Sequence, residues 1–262
     1  KRTTHMSSKL KVLNTLLGLI SVVLLVSAAS NQNDLPPFAD IHPALLTEPQ
    51  QVQIQRPAFE VKRKQVTYRI EPLYDYTLYG LVVSRHDAGS WLDSIHSYWN
   101  DYLNVVDVCV VWGRNLKSGF YANPDVRFTS GQFTCYVHPA NLHVWQAFDA
   151  TSLSNNHLLA ERASVIRKLR TVRVGDQIML RGSLAQYSHN YRGAHFSRST
   201  SVTRDDVGNG ACETVFVDQV EVLREGNVGW RFAYSLGWCG LVLSAALGLW
   251  GLLSRETMDE SA

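Results

Sequence analysis

Two apolar runs without a single charged residue, one near each end, constrain this chain more than any other feature. Residues 12–29 and 232–254 are each long enough to cross a hydrocarbon core of about 30 Å as a helix rising about 1.5 Å per residue. The expected organisation is a basic flank (1–11), a first transmembrane helix (12–29), an extended Pro-rich tether (30–60), a β-rich domain (61–228), a second transmembrane helix (231–254) and a tail (255–262). Lys1, Arg2, Lys9 and Lys11 precede the first run, and no basic residue follows it until Arg56. Excess positive charge marks the cytoplasmic side, so the flank and the tail are expected there and the central domain in the periplasm of a bacterial inner membrane. Val26, Ser27 and Ala28 also suit a signal-peptidase site; the reading preferred here is an uncleaved signal anchor.

Between residues 30 and 230 there are 19 Lys plus Arg against 20 Asp plus Glu. A balance so close to neutral argues against bulk attraction to nucleic acid. Cys109, Cys135 and Cys212 lie in this part and Cys239 in the second span. The three soluble thiols allow at most one internal disulfide, and small buried thiols are the alternative. Their spacing matches neither a zinc ribbon nor a CxxC redox pair.

Pro36, Pro37, Pro43 and Pro49 with a run of amides read as the tether. Strands are expected in "VKRKQVTYRI" and "YDYTLYGLVVSRH" from their aromatic and β-branched content. "SWLDSIHSYWNDYLNVV" places Trp91, Leu92, Ile95, Tyr98, Trp99 and Tyr102 at helical spacing, with Ser90 and Asp93 as a variant capping box, which predicts a helix over 91–104. A second helix is expected over 157–170, and strands in "DVCVVWG", "SGQFTCYVH", "QIMLRGSLAQY", "HFSRSTSVT" and "CETVFVDQVEVL". The fold class is therefore α+β and membrane-anchored: two transmembrane helices flanking a β-rich, OB-like small barrel with two inserted helices. The stretches "NNHLLA" (155–160), "VGDQIMLRGSLAQY" (174–187) and "TSVTRDDVGNGACETVFVDQV" (200–220) resemble an uncharacterised group of bacterial membrane-anchored proteins. That resemblance implies an envelope origin and no activity.

The residues offer few catalytic signatures. Asp205, Asp206, Asn209 and Glu213 supply oxygen donors, but Gly208 and Gly210 among them favour a structural turn over a metal site. Cys135, His138, His143 and His157 have zinc-ligand chemistry, yet a strand points Cys135 and His138 to opposite faces. No Gly-x-Ser-x-Gly elbow, Ser-x-x-Lys pair in the soluble part or phosphate-binding glycine loop is present. A triad is defined in space, so their absence decides little. Arg162, Arg167, Lys168, Arg170 and Arg173 read as a solvated cluster complementing a helix C-terminus. Trp91, Tyr98, Trp99 and Tyr102, with Tyr74, Tyr76 and Tyr79, suit packing or an interface.

The second span holds the strongest pattern. Gly237, Gly240, Ser244, Gly248 and Gly251 recur at intervals of three and four and share one helix face, with a weaker counterpart in Asn14, Gly18 and Ser21. Small residues let helices approach closely in lipid, so this stripe is expected to dock the other span or a partner. The expected role is a non-catalytic accessory or assembly subunit, meeting other integral membrane subunits and lipid, with no cofactor and no identified small-molecule substrate. The alternatives are a metal-assisted envelope hydrolase using the 205–213 loop and a carbohydrate- or nucleic-acid-binding OB module. The orientation predicts that a cysteine placed at Gln51 is labelled by a membrane-impermeant reagent in intact spheroplasts; labelling only after lysis would overturn it.

Overall fold

The computed structural model describes residues 7–206 and 212–259. The chain divides into two compact units, one formed by its two ends and one spanning Leu35–Gly226.

In the first unit, α1 (Ser8–Asn31) begins where Ser7 accepts the Leu10 amide on its hydroxyl, and its long partner is α6 (Val228–Asp259). Both helices are long and apolar enough to cross a membrane. They pack along the small-residue face. A Cβ on Gly237 would sit 2.7 Å from Leu25 Cγ, one on Gly18 would sit 3.0 Å from Ser244 Oγ, and one on Gly240 would overlap Ser21 Oγ. At Gly248 the space is looser, with Asn14 Nδ2 at 3.7 Å, and Gly251 is half-buried. Two reciprocal hydrogen bonds join the backbones: Asn14 Nδ2 donates to Ser244 O and Ser244 Oγ donates to Asn14 O, both at 3.1 Å. The stripe is thus occupied within the chain.

In the second unit, the strands are β1 (Gln50–Gln53), β2 (Phe59–Arg63), β3 (Val66–His86), β4 (Asn104–Val111), β5 (Val126–Ser130), β6 (Cys135–Pro139), β7 (Leu153–Leu159), β8 (Gln177–Tyr191), β9 (Ala194–Arg198) and β10 (Glu213–Arg224). The short helices are α2 (Ser94–Tyr98), α3 (Gly113–Lys117), α4 (Leu142–Trp145) and α5 (Ala163–Thr171). Strands β3, β4, β7, β10 and β8 pair in that order, and β8 pairs back onto β3, closing a ring. Within the ring, β7 and β10 run parallel and the other pairs are antiparallel. Closure demands strong bending, and register shifts fall at Val82/Ser84 and Val217/Gln219. At Gly182 a Cβ would overlap the Phe216 carbonyl, so β8 can cross β10 only with glycine there.

Inside the ring lie Leu78, Val82, Val108, Val110, Leu158, Ile178, Leu180 and Val215, and α5 adds Val165, Ile166 and Leu169. Every residue of β4 is buried, because its outer face is covered too: Cys109 and Val111 pack with Ile41, Leu45, Leu116 and Tyr121. A disulfide joins Cys109 to Cys135, fastening the β5–β6 hairpin to β4.

Three expectations need correction. The stretch 35–56 is no free tether: Leu45 is fully buried, Glu48 accepts the Trp112 indole N–H at 2.9 Å, and β1 pairs with β3. Apolar side chains at 41 and 45 override the extended bias of the prolines. The helix expected over 91–104 shrinks to α2, capped by Asp93 rather than Ser90, because Asn100 turns left-handed (φ 55°) and Asn104 already opens β4. Residues 157–159 complete β7, so the second helix starts at Ala163. Gln51 donates to Val202 O, which makes exposed Gln53 the better labelling position.

Gly240→Leu is expected to weaken the α1–α6 contact by about 1–2 kcal/mol, roughly five- to thirtyfold in the pairing equilibrium. Disulfide crosslinking between cysteines placed on the two helices reads this, and Leu243→Ile, on the exposed face, is the control. Equal crosslinking in Gly240→Leu and the parent would show that close approach is dispensable.

Candidate functional site

The outer face of β4 and β7 carries polar side chains where a barrel of this size would ordinarily show solvent. Alternation turns Val106, Val108 and Val110 inward, so Asp107 and Cys109 face outward. The register sets Asp107 opposite His157 and Cys109 opposite Asn155. Asp107 Oδ1 meets His157 Nδ1 at 2.8 Å, with the two side chains 1% and 3% exposed, and the same oxygen accepts Asn104 Nδ2 at 2.7 Å. In the parallel pairing Thr214 lies beside His157, which brings Cys212, two residues earlier, to the same face. Its partly exposed thiol donates to the Phe133 carbonyl at 3.8 Å. Asn155 Nδ2 lies 3.5 Å from Cys212 Sγ and donates to the Phe133 carbonyl at 3.3 Å.

Burial alone would push the His157 pKa down. The Asp107 carboxylate outweighs it by charge and hydrogen bond, with Cys212 adding to the effect, and raises the pKa to about 9. His157 is therefore an imidazolium at neutral pH. Burial likewise favours neutral Asp107, and the His157 charge overcomes it and holds the carboxyl below its ordinary range. Arg198 is held charged against its own burial by Tyr187, Asp101, Asp107 and Cys212.

The β3–β4 connection builds the adjoining wall. Tyr68 pins it by donating to Asn100 O and accepting the Tyr102 amide at 2.8 Å. Asp93 caps α2 by accepting the His96 amide on Oδ1 at 2.8 Å, while its Oδ2 contacts His86 Nε2 at 2.6 Å and His96 Nδ1 at 2.7 Å. His96 Nε2 lies 3.1 Å from Asn104 Nδ2, so polar contacts run unbroken from His86 to His157. Trp99 stacks on Phe133 at 5.3 Å and leans on Phe196 at 5.8 Å, and Arg198 lies 5.9 Å from both the Trp99 and Phe133 rings. These groups form the cover.

Other residues singled out from the sequence scatter. Trp91 and Tyr98 are 91% and 82% exposed, Trp99 belongs to the cover, and Tyr102 lies under the Lys64 ammonium at 3.7 Å. Tyr76 is inside the barrel. Asp205 and Asp206 are exposed, and Asn209 with Gly208 and Gly210 lies outside the described residues. Glu213 is buried, which raises its pKa to about 7, and it pairs with Arg204. A guanidinium there occupies the position that a cation at this loop would need. Cys135 is in the disulfide, and His138 projects from the opposite face to Thr129. Arg162, Arg167, Lys168, Arg170 and Arg173 are exposed.

The sequence singles out His157 and Cys212 separately but joins neither to Asp107, because "NNHLL" resembles the start of a helix. Reading it as a strand beside "DVCVV" would have set Asp107 and His157 on one face. Neither a protein-family model nor a curated protein nor a solved structure matches this chain.

The folded pKa of His157 lies above its ordinary 6.5, so its ion pair contributes fully below about pH 6.5 and is lost as pH rises through about 9. Thermal unfolding is expected to move to lower temperature between about pH 7 and 9, above the Glu213 transition. His157→Gln should flatten that slope; an unchanged slope in the variant would reassign it.

Proposed function

We propose that this chain is a two-span protein of a bacterial envelope that holds an OB-type barrel on the extracytoplasmic side and uses Cys212 as an acyl-transfer nucleophile. The observation that carries it is the buried Asp107–His157 pair set against a half-exposed thiol. Three further features support the setting. The ring order, with one parallel pair and α5 between β7 and β8, supports the reading of the ring as an OB-type barrel. The basic residues before the first apolar run favour a cytoplasmic N-terminus. The Cys109–Cys135 disulfide suits an oxidising compartment.

In this reading the Cys212 thiolate attacks the carbonyl carbon of an ester, thioester or amide, forming the C–S bond. His157 gives its proton to the departing oxygen, sulfur or nitrogen as the C–X bond breaks. Asp107 keeps the imidazole oriented and charged until then. The Asn155 amide, beside the sulfur, donates to the oxyanion that develops there. Water, deprotonated by the now neutral His157, then cleaves the thioester, releasing the carboxylic acid and restoring the Cys212 thiolate and the His157 imidazolium.

A second reading, association with other integral membrane subunits, draws on Trp91, Leu92 and Tyr98, all exposed on the β3–β4 connection. The α1–α6 stripe no longer supports it, being filled within the chain. An oligonucleotide- or sugar-stacking role has less support, since Trp99 and Phe133 stack on each other.

Iodoacetamide labelling followed by peptide mass analysis separates Cys212 from Cys239. At neutral pH the Cys212 rate is expected to fall at least tenfold in His157→Gln, with Cys239 unchanged. Equal Cys212 rates in the parent and the variant would sink the thiolate–imidazolium assignment.

A further inference from the structure

We infer that His86, Asp93 and His96 form a binding site for a divalent zinc-type cation, ligated through His86 Nε2, Asp93 Oδ2 and His96 Nδ1. The site is separate from the thiol centre. These three atoms lie within 4.8 Å of one another and, among the described residues, form the one such group of three. Metal bonds of about 2.0–2.2 Å in tetrahedral geometry place donor atoms about 3.3–3.5 Å apart. The two nitrogens already sit 2.6 and 2.7 Å from the carboxylate oxygen, so a small outward turn of the Asp93 side chain opens the needed space.

Charge balance points the same way. Three carboxylates are buried along this wall: Asp93, Asp101 and Asp107, 4%, 1% and 1% exposed. Asp107 has His157, and Asp101 takes the Tyr187 hydroxyl at 2.6 Å and faces Arg198. Asp93 has neither Lys nor Arg in ion-pair contact among the described residues, only the two imidazoles. A buried carboxylate between two imidazole nitrogens is a donor set that a cation completes.

A second observation concerns Asn104. Its amide lies against His96 Nε2, and its Oδ1 is buried without a hydrogen-bond partner. Metal on Nδ1 leaves the ring proton on Nε2, which then needs an acceptor. Asp101 Oδ2, 4.0 Å from that nitrogen, is the acceptor that a small shift brings into reach, and the Asn104 amide keeps its bond to Asp107. Two nitrogens and one oxygen select zinc and its neighbours over calcium or magnesium. His86 is 19% exposed against 1% for the other two, so the fourth ligand position opens on its side and takes water.

The test uses the full chain in detergent, stripped with a chelator and dialysed against zinc, with bound metal counted by mass spectrometry. The parent is expected to retain one equivalent of zinc. His86→Gln and Asp93→Asn should lose it, and Asn keeps the capping acceptor for α2. Cys212→Ser should retain it, as should His138→Ala on the far face. Cobalt in place of zinc should give the intense visible bands of a four-coordinate site in the parent and in Cys212→Ser. This readout stands even if a ligand variant misfolds. No zinc retained by the parent, retention in both ligand variants, or loss in Cys212→Ser would each overturn the assignment. Loss in Cys212→Ser would move the metal to the thiol.

Discussion

Everything in the larger unit depends on the closing pair between β3 and β8. Their ladder runs from Arg69 opposite Ser188 to Leu81 opposite Gln177, and it turns an open sheet into a ring. Closure leaves edges only on the outlying strands β1, β2 and β9 and forces each ring strand to have an inside and an outside. The inside fills with aliphatic side chains. The outside of β4 and β7 is then a fixed platform, and the residues that cross it in register, Asp107 with His157 and Cys109 with Asn155, are placed by the ring rather than by any local loop.

Burying that platform has a physical cost, and the sequence meets it with matched charge. A carboxylate, an imidazolium, an amide and a guanidinium are withdrawn from water together; Asp107 Oδ1 is paired with His157 and Asn104, while Asp107 Oδ2, Asn104 Oδ1 and Arg198 Nη1 are buried without a hydrogen-bond partner. Such a network tolerates the loss of a member poorly, since removing one partner strands another in a low-dielectric setting. The aromatic cover of Trp99, Phe133 and Phe196 deepens this effect by excluding water from one side while leaving the thiol half-exposed.

The terminal helices and several strands were legible from the sequence, because an uncharged apolar run and a β-branched run are strong local signals. The extent of β3 was not: twenty-one residues read as two strands, since nothing local marks a strand that bends without breaking. Helices over 91–104 and 157–170 were overestimated for a related reason. Aromatic residues at helical spacing also occur in irregular segments that wrap a barrel, where Trp99 and Tyr102 are half-buried and Trp91 and Tyr98 are exposed. The site was least legible. Its residues come from β4, β7 and the segment before β10, and only the ring topology brings positions 107, 157 and 212 together.

The disulfide between Cys109 and Cys135 bears on how the covered face behaves. Cys109 stands two residues from Asp107 on the platform, and Cys135 two residues from Phe133 in the cover. Floor and roof are therefore parts of one covalent loop, whose closure removes unfolded-chain entropy of about 3 kcal/mol. The β5–β6 hairpin is hinged to the strand it shelters, like a shutter fixed to its own window frame.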